Sequence, residues 1–262
     1  MEVKNKKIIL TGAGSGIGRE LAIQLVAEGA YVLGLDISEK TLKETKELIK
    51  SDRFKTYQLD MAKKSEIEKF YKEYYKIFDE LDILINNAGI IQPFVHVSEL
   101  DDKVIDHIMQ VNFFGPLNLI RLFINDLKKR PASYIVNVSS MGGFFPFPGQ
   151  TVYGASKAAL KLLTEGLYAE LLDTNVKVSI IYPGAIATNI SENSKVTAAK
   201  TESKESSFKA MPAEDAAREI IEGIYKEKLQ VYVGSDSKFM NKFYKLSPQK
   251  AIKFIANKMK NM

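Results

Sequence analysis

The chain has 262 residues, 45% of them apolar and 26% charged, which suits one α/β domain with a large core. It contains no cysteine, which excludes disulfides, thiolate zinc sites and a cysteine nucleophile. The net charge of +5 is local: seven lysines and no acid follow Ser237, so a nucleic-acid-binding surface over the whole domain is not expected.

The first apolar run, Ile8, Ile9 and Leu10, is too short for a signal peptide, and no run is long enough to span a bilayer. A cytoplasmic protein is expected. KKIIL reads as a short buried strand stopped by a glycine-rich turn. Residues 17–28 read as a helix, with Ile17, Leu21, Leu25 and Val26 along one side. Strand 30–36, helix 38–50 capped by Ser38, strand 54–60, helix 63–78 and strand 81–89 follow. A long helix is expected over 101–129, then strand 132–140, helix 152–173 and strand 176–184. A helix near 213–227 and a strand at 229–234 close the domain, and 237–262 forms a basic tail. The strands are continuous apolar runs alternating with helices, the pattern of a parallel sheet covered on both faces. Ligands bind such sheets beyond the carboxyl ends of the strands.

The first turn reads TGAGSGIGRE. A strict G-x-G-x-x-G does not fit, because Ile17 stands where the last glycine would be; G-x-x-x-G-x-G fits through Gly12, Gly16 and Gly18. No Gly-Lys-Ser/Thr follows, so a P-loop is excluded. Glycines allow tight turns and close approach, and the helix behind them offers free N–H groups to a pyrophosphate. A glycine turn without a ligand would look the same. Asp36, at the end of the second strand, is placed to accept hydrogen bonds from adenosine ribose hydroxyls and to repel a 2′-phosphate, which favours NAD. Arg19 could meet that phosphate and keeps NADP open.

In chain order there follow NNAG at 86–89, Ser140, YGASK at 153–157 and PGAIAT at 183–188. With TGAGSGIG, these five resemble the short-chain dehydrogenase/reductase family over nearly the whole chain to Gly234. The resemblance implies a doubly wound Rossmann fold with a seven-stranded parallel sheet, and NAD(P)-dependent exchange between an alcohol and a carbonyl. It implies Asn112, Ser140, Tyr153 and Lys157 as the catalytic set; the family's serine lies thirteen residues before its tyrosine, which selects Ser140 over Ser139. It implies dinucleotide contacts from the first turn (Gly12, Ser15, Gly16, Ile17, Gly18), from Asp60 and Met61 at the adenine edge, and from Asn86, Ala88 and Gly89. Pro183, Gly184, Ile186 and Thr188 correspond to the segment holding the nicotinamide carboxamide. Homodimers or homotetramers are common in the family.

Spacing supplies a reason for the tyrosine and lysine. Residues four apart share a helix face. A phenol is a poor base at neutral pH, and a nearby ammonium favours phenolate. Tyr153 is therefore expected as the general acid/base, with Lys157 lowering its pKa and bonding the nicotinamide ribose. Ser140 holds the substrate oxygen, and Asn112 supports a water leading from Lys157 to solvent. His96 and His107 show no metal-ligand spacing, and no metal site is expected.

Segment 189–210 is polar and glycine-free, and a mobile lid over substrate is expected there. Phe144, Phe145, Pro146 and Phe147 either line an apolar substrate pocket or pack under their own loop. In the tail, Ile252, Ile255, Ala256 and Met259 share a helical face opposite Lys253, Asn257 and Lys260. That face suits either an anionic membrane surface or packing on the domain or a neighbouring subunit. Two rivals to an NAD-dependent enzyme are an NADPH-dependent carbonyl reductase and a dinucleotide-binding sensor or scaffold without turnover.

Overall fold

Each central strand serves two cores. In the computed structural model, which describes residues 1–188, 190–194 and 210–260, β1 (Lys7–Thr11) sends Ile8 and Leu10 to one face and Ile9 to the other. β4 (Ile83–Asn86) divides Ile83 and Ile85 from Leu84, and β5 (Ser133–Val138) divides Tyr134, Val136 and Val138 from Ile135. Burial on both faces is why the strands read as unbroken apolar runs.

With β2 (Tyr31–Asp36), β3 (Phe54–Gln58), β6 (Val176–Pro183) and β9 (Gln230–Val233) these strands form a seven-stranded sheet, in the order β3-β2-β1-β4-β5-β6-β9. Every neighbouring pair is parallel. One face packs against α1 (Gly16–Ala27) and α8 (Ala213–Tyr225), through Leu21, Leu25, Ile220 and Ile224. The other packs against α3 (Lys64–Tyr74), α5 (Gly115–Lys128) and α6 (Thr151–Glu170), through Ile67, Phe70, Leu119, Phe123 and Leu167. α2 (Glu39–Ile49) begins at Ser38, whose side chain accepts the Thr41 N–H. Strand order reverses between β1 and β4, and the carboxyl ends of the strands beside such a reversal are where sheets of this kind bind ligands.

The long helix expected over 101–129 is α4 (Asp102–Met109) and α5 joined by a π-helical turn, Gln110–Phe114. Pro116 cannot donate to the carbonyl four residues back, that of Asn112, and the Gly115 N–H reaches the Gln110 carbonyl instead.

The tail begins earlier than expected and is joined to the domain. α9 (Ser235–Leu246) and α10 (Pro248–Lys260) pack on the loop after β5, where Phe145, Met240 and Ala251 form a small third core. Ser237 is fully buried and donates to the Tyr182 carbonyl at 2.8 Å. No helix among the described residues is long and apolar enough to cross a membrane. Most of the segment expected as a lid lies outside the described residues. Within it α7 (Ile190–Asn193) is described, and the strands that flank it, β7 (Ile186–Ala187) and β8 (Met211–Pro212), pair with each other in parallel.

Candidate active site

The glycine turn between β1 and α1 is built for close approach. Gly12 and Gly16 have φ of +71° and +51°, a region other residues avoid. A Cβ on Gly18 would collide with the Gly12 carbonyl oxygen and stand 2.6 Å from Asn87 Nδ2. A Cβ on Gly16 would meet the Thr188 methyl at 3.1 Å, which places Thr188 against the turn. α1 starts with no side-chain cap from Ser15, which leaves its first N–H groups open to an anion. The Ser15 hydroxyl instead accepts Asn193 Nδ2 at 2.9 Å, and Ile17 packs against the core.

Asp36 stands at the end of β2. Its Oδ2 accepts the Gly14 N–H and its Oδ1 the Ser38 N–H, both at 3.0 Å. Arg19 is bound elsewhere: Nε donates to the Gly14 carbonyl at 3.0 Å, and Nη2 pairs with Glu44 at 3.0 Å. Asp60 folds its own turn by accepting the Ala62 N–H at 2.9 Å. The Met61 side chain is buried against Gly115, inside the core.

Asn86 is buried, and its Nδ2 donates to Asn137 Oδ1 at 2.8 Å; among the described residues its Oδ1 has no partner. The Ala88 N–H donates to Thr11 Oγ1 at 2.9 Å. On the far side, the Gly184 N–H donates to the Val233 carbonyl, and the Ala185 N–H to Asp236 Oδ2 at 2.7 Å. A Cβ on Gly184 would run into that carboxylate. Pro183 ends β6 and Ile186 opens β7, partly buried against the core.

Two glycines mark where the four candidate catalytic side chains come together in pairs. A Cβ on Gly89 would lie 2.8 Å from Lys157 Nζ and 3.3 Å from Asn112 Oδ1. A Cβ on Gly142 would lie 3.4 Å from the Tyr153 ring and 3.5 Å from Ser140 Oγ. Asn112, in the π turn, is locked to the loop after β4: Oδ1 accepts the Ile90 N–H and Nδ2 donates to the Ile90 carbonyl, both at 2.9 Å. Its Nδ2 also donates to Ser156 Oγ at 3.0 Å. Adjacent residues at a strand end point opposite ways, which separates the two serines. Ser139 is buried and donates to the Lys157 carbonyl at 2.9 Å, whereas Ser140 accepts the Gly142 N–H at 3.0 Å beside Tyr153.

The electrostatics differ from the expectation. Burial lifts the Tyr153 phenol above its ordinary value, and a hydrogen bond from Ser140 pulls it partly back. Lys157 donates to the Val138 carbonyl at 3.0 Å, and burial lowers it to about 8. The ammonium is thus held by the end of β5, one turn from the phenol, and desolvation governs both groups.

The aromatic loop is packed in part: Phe145 is buried, Phe144 and Phe147 are half-buried, and Pro146 is exposed. Phe144 meets Tyr182 and Tyr232 edge-on at 5.3 and 5.6 Å, and Phe145 is buried beside Phe147 and Tyr244. His96 precedes a 3-10 turn and His107 lies in α4, and the described residues contain no acid–histidine cluster that could hold a metal ion.

Sequence reading missed Thr11, Asn87 and Gln92. Asn87 Nδ2 donates to the Thr11 carbonyl at 3.0 Å and the Gly12 carbonyl at 3.4 Å, and its N–H donates to Thr11 Oγ1. The doubled asparagine of NNAG was the available signal: one side chain serves the sheet and the other the turn.

Residues 6–199 match the short chain dehydrogenase family. An uncharacterized oxidoreductase of Thermotoga maritima is 40% identical over 70% of this chain and 73% of its own length. Dehydrogenase/reductase SDR family member 7B of Mus musculus is 32% identical over 87% of this chain and 73% of its own. Among solved structures, a short-chain dehydrogenase from Burkholderia cenocepacia in complex with NADP superposes with a TM-score of 0.82 at 25% identity, covering 97% of this chain and 99% of that one. A Burkholderia phymatum member in complex with NAD gives 0.82 at 22% identity, covering 94% and 96%, and shows the shared fold. With its glycine turn, parallel sheet and ordered motifs, the chain belongs to the short-chain dehydrogenase/reductase family of oxidoreductases.

Proposed function

We propose that the protein exchanges a hydride between a nicotinamide dinucleotide and an alcohol/carbonyl pair, with Tyr153 as general acid/base. The observation that carries this reading is the convergence of Lys157 with Asn112 on Gly89 and of Ser140 with Tyr153 on Gly142. The residues present fit a dinucleotide: the turn has no room for a Cβ at Gly18, the start of α1 is uncapped, and a buried Asn86 oxygen stands open. Gly12, Ser15, Gly16, Ile17 and Gly18 would hold the pyrophosphate and Asp36 the ribose. Asp60 and the Met61 backbone would lie at the adenine, with Ala88 and Gly89 beside the adenosine. Pro183, Gly184, Ile186 and Thr188 would hold the carboxamide end.

When bound, the cofactor supplies or accepts the hydride at the substrate carbon. The chain supplies the proton and its control. In reduction, the Tyr153 hydroxyl gives its proton to the substrate oxygen; in oxidation, the phenolate takes it back. Ser140 donates a hydrogen bond to that same oxygen. A phenol is protonated at neutral pH, the state an acid needs for carbonyl reduction, and burial further disfavours the phenolate that oxidation needs. Lys157 contributes positive charge and a donor on the nicotinamide side, and Asn112 fixes the loop beside it.

NAD is the preferred cofactor in this reading, because Asp36 lies at the turn while Arg19 is tied to Glu44 and Gly14. Phe145 serves the core, and the half-buried Phe144 and Phe147 with the exposed Pro146 leave apolar surface that supports a preference for hydrophobic substrates. Tyr168 and Leu172 are exposed on and just beyond α6, which supports association of copies through that face. On α9 and α10, Phe239, Leu246, Ile252 and Phe254 remain exposed among lysines, which supports contact with an anionic membrane surface. An alcohol and ketone panel run with both cofactors tests the main reading. Nicotinamide absorbance that never changes, with dinucleotide bound, would favour a sensor instead.

A further inference from the structure

α6 starts without a cap of its own. Gln150 stands at the N-cap position, its side chain caps nothing, and the first turn carries no acid. The cap comes from across the site. Gln92 is fully buried, and its Oε1 accepts the N–H of Val152 at 2.8 Å and of Tyr153 at 2.9 Å. These are the second and third helical residues, the positions an N-cap side chain serves. Gln92 Nε2 donates to the Gly149 carbonyl at 2.9 Å, and the Gln92 carbonyl accepts Gln150 Nε2 at 2.8 Å.

Gln92 also ends a segment that ties the site together. Asn87 and Ala88 hold Thr11, Ile90 holds Asn112, and the Ile91 N–H donates to Ser194 Oγ at 3.0 Å. Lys157, one turn further along α6, has its own anchor on Val138. Tyr153 depends on Gln92 for its backbone N–H, while Ser140 is carried by a different element. A shift of the first turn would move the phenol relative to Ser140 and leave Lys157 in place.

We propose that Gln92 is a positioning residue, which sets where the Tyr153 hydroxyl stands by clamping the start of α6 to the loop bearing Gly89. This rests on Tyr153 being the proton-exchanging group. The test uses the full chain with Gln92→Leu and Gln92→Glu. Loss of the clamp in the Leu variant is expected to lower kcat on the order of 10- to 100-fold, with dinucleotide affinity within about twofold of wild type. The Glu variant keeps the acceptor and is expected to recover most of kcat. Its pH profile should move upward, because a carboxylate at the Tyr153 N–H opposes phenolate. Hydrogen exchange at the Val152 and Tyr153 amides, read without substrate, is expected to accelerate in the Leu variant. A folded Leu variant with wild-type kcat, or with unchanged exchange, would overturn the proposal. Should the Leu variant not fold, a Glu variant with an unmoved pH profile would overturn it. A wild-type enzyme silent on every substrate would sink the oxidoreductase reading, whereas faster exchange in the Leu variant would still support the clamp on Tyr153.

Discussion

Lys157 Nζ and the Val138 carbonyl are joined at 3.0 Å, which holds a buried ammonium against the end of β5. Among the described residues no carboxylate pairs with this lysine, and a strand-end carbonyl meets it instead. Burial moves its pKa from the ordinary 10.5 to about 8, so charging this site costs folding free energy.

That cost has a sign in pH. Between about 8 and 10.5 the unfolded chain holds a proton on this lysine that the folded chain does not, so its contribution to stability rises with pH across that window. Below it the full cost is present. Lys157→Met is expected to remove roughly 3 kcal/mol of that cost at neutral pH, offset by about 1 kcal/mol for the lost hydrogen bond. Thermal melts should show the variant at or above wild type at neutral pH, with the advantage gone by pH 10.5. A variant clearly less stable at neutral pH would contradict this account of burial.

The same group predicts the activity profile. In carbonyl reduction, kcat/KM of the free enzyme should fall as pH rises through about 8, where Lys157 discharges. A rate flat to pH 10 would show that the ammonium is not required.

Asp36 predicts cofactor choice. NAD should bind at least about tenfold more tightly than NADP, a difference of about 1.4 kcal/mol. Asp36→Ala removes both the ribose acceptor and the repulsion of a 2′-phosphate, so the two affinities should converge. Fluorescence titration with each dinucleotide measures this, and a wild-type protein preferring NADP would reverse the assignment.

Gly18→Ala tests the turn. The added methyl meets the Gly12 carbonyl and Asn87 Nδ2. A loss of about 1–3 kcal/mol in stability is expected from overpacking, together with loss of dinucleotide binding. Denaturant melts and titration follow the two effects, and wild-type affinity in a folded variant would show that the turn does not seat the cofactor.

Much of this was legible in the chain because the physics is local. Ile8, Ile9 and Leu10 announce a strand buried on both faces, and Gly12, Gly16 and Gly18 announce a turn needing open backbone. The π turn at Asn112 was less visible: Pro116 is a signal, but helix periodicity continues on both sides of it. Tyr153 and Lys157 were named by the ordered motifs of the family and rationalised by their spacing, yet that spacing did not reveal that Lys157 turns toward Val138. Phe144 and Phe145 were ambiguous because a pocket and a core use the same residues, and Met240 and Ala251, among the partners that bury Phe145, stand about a hundred residues further along the chain. Gln92 was missed because its partners lie about sixty residues away, at the start of α6.

The most direct measurement is single-turnover hydride transfer by Tyr153→Phe, compared with wild type on whichever substrate the panel identifies. The account predicts a fall of at least about 100-fold in the chemical step, the scale of general acid/base catalysis, with dinucleotide affinity and melting temperature preserved. A folded, dinucleotide-bound Phe variant that transfers hydride at the wild-type rate would contradict it.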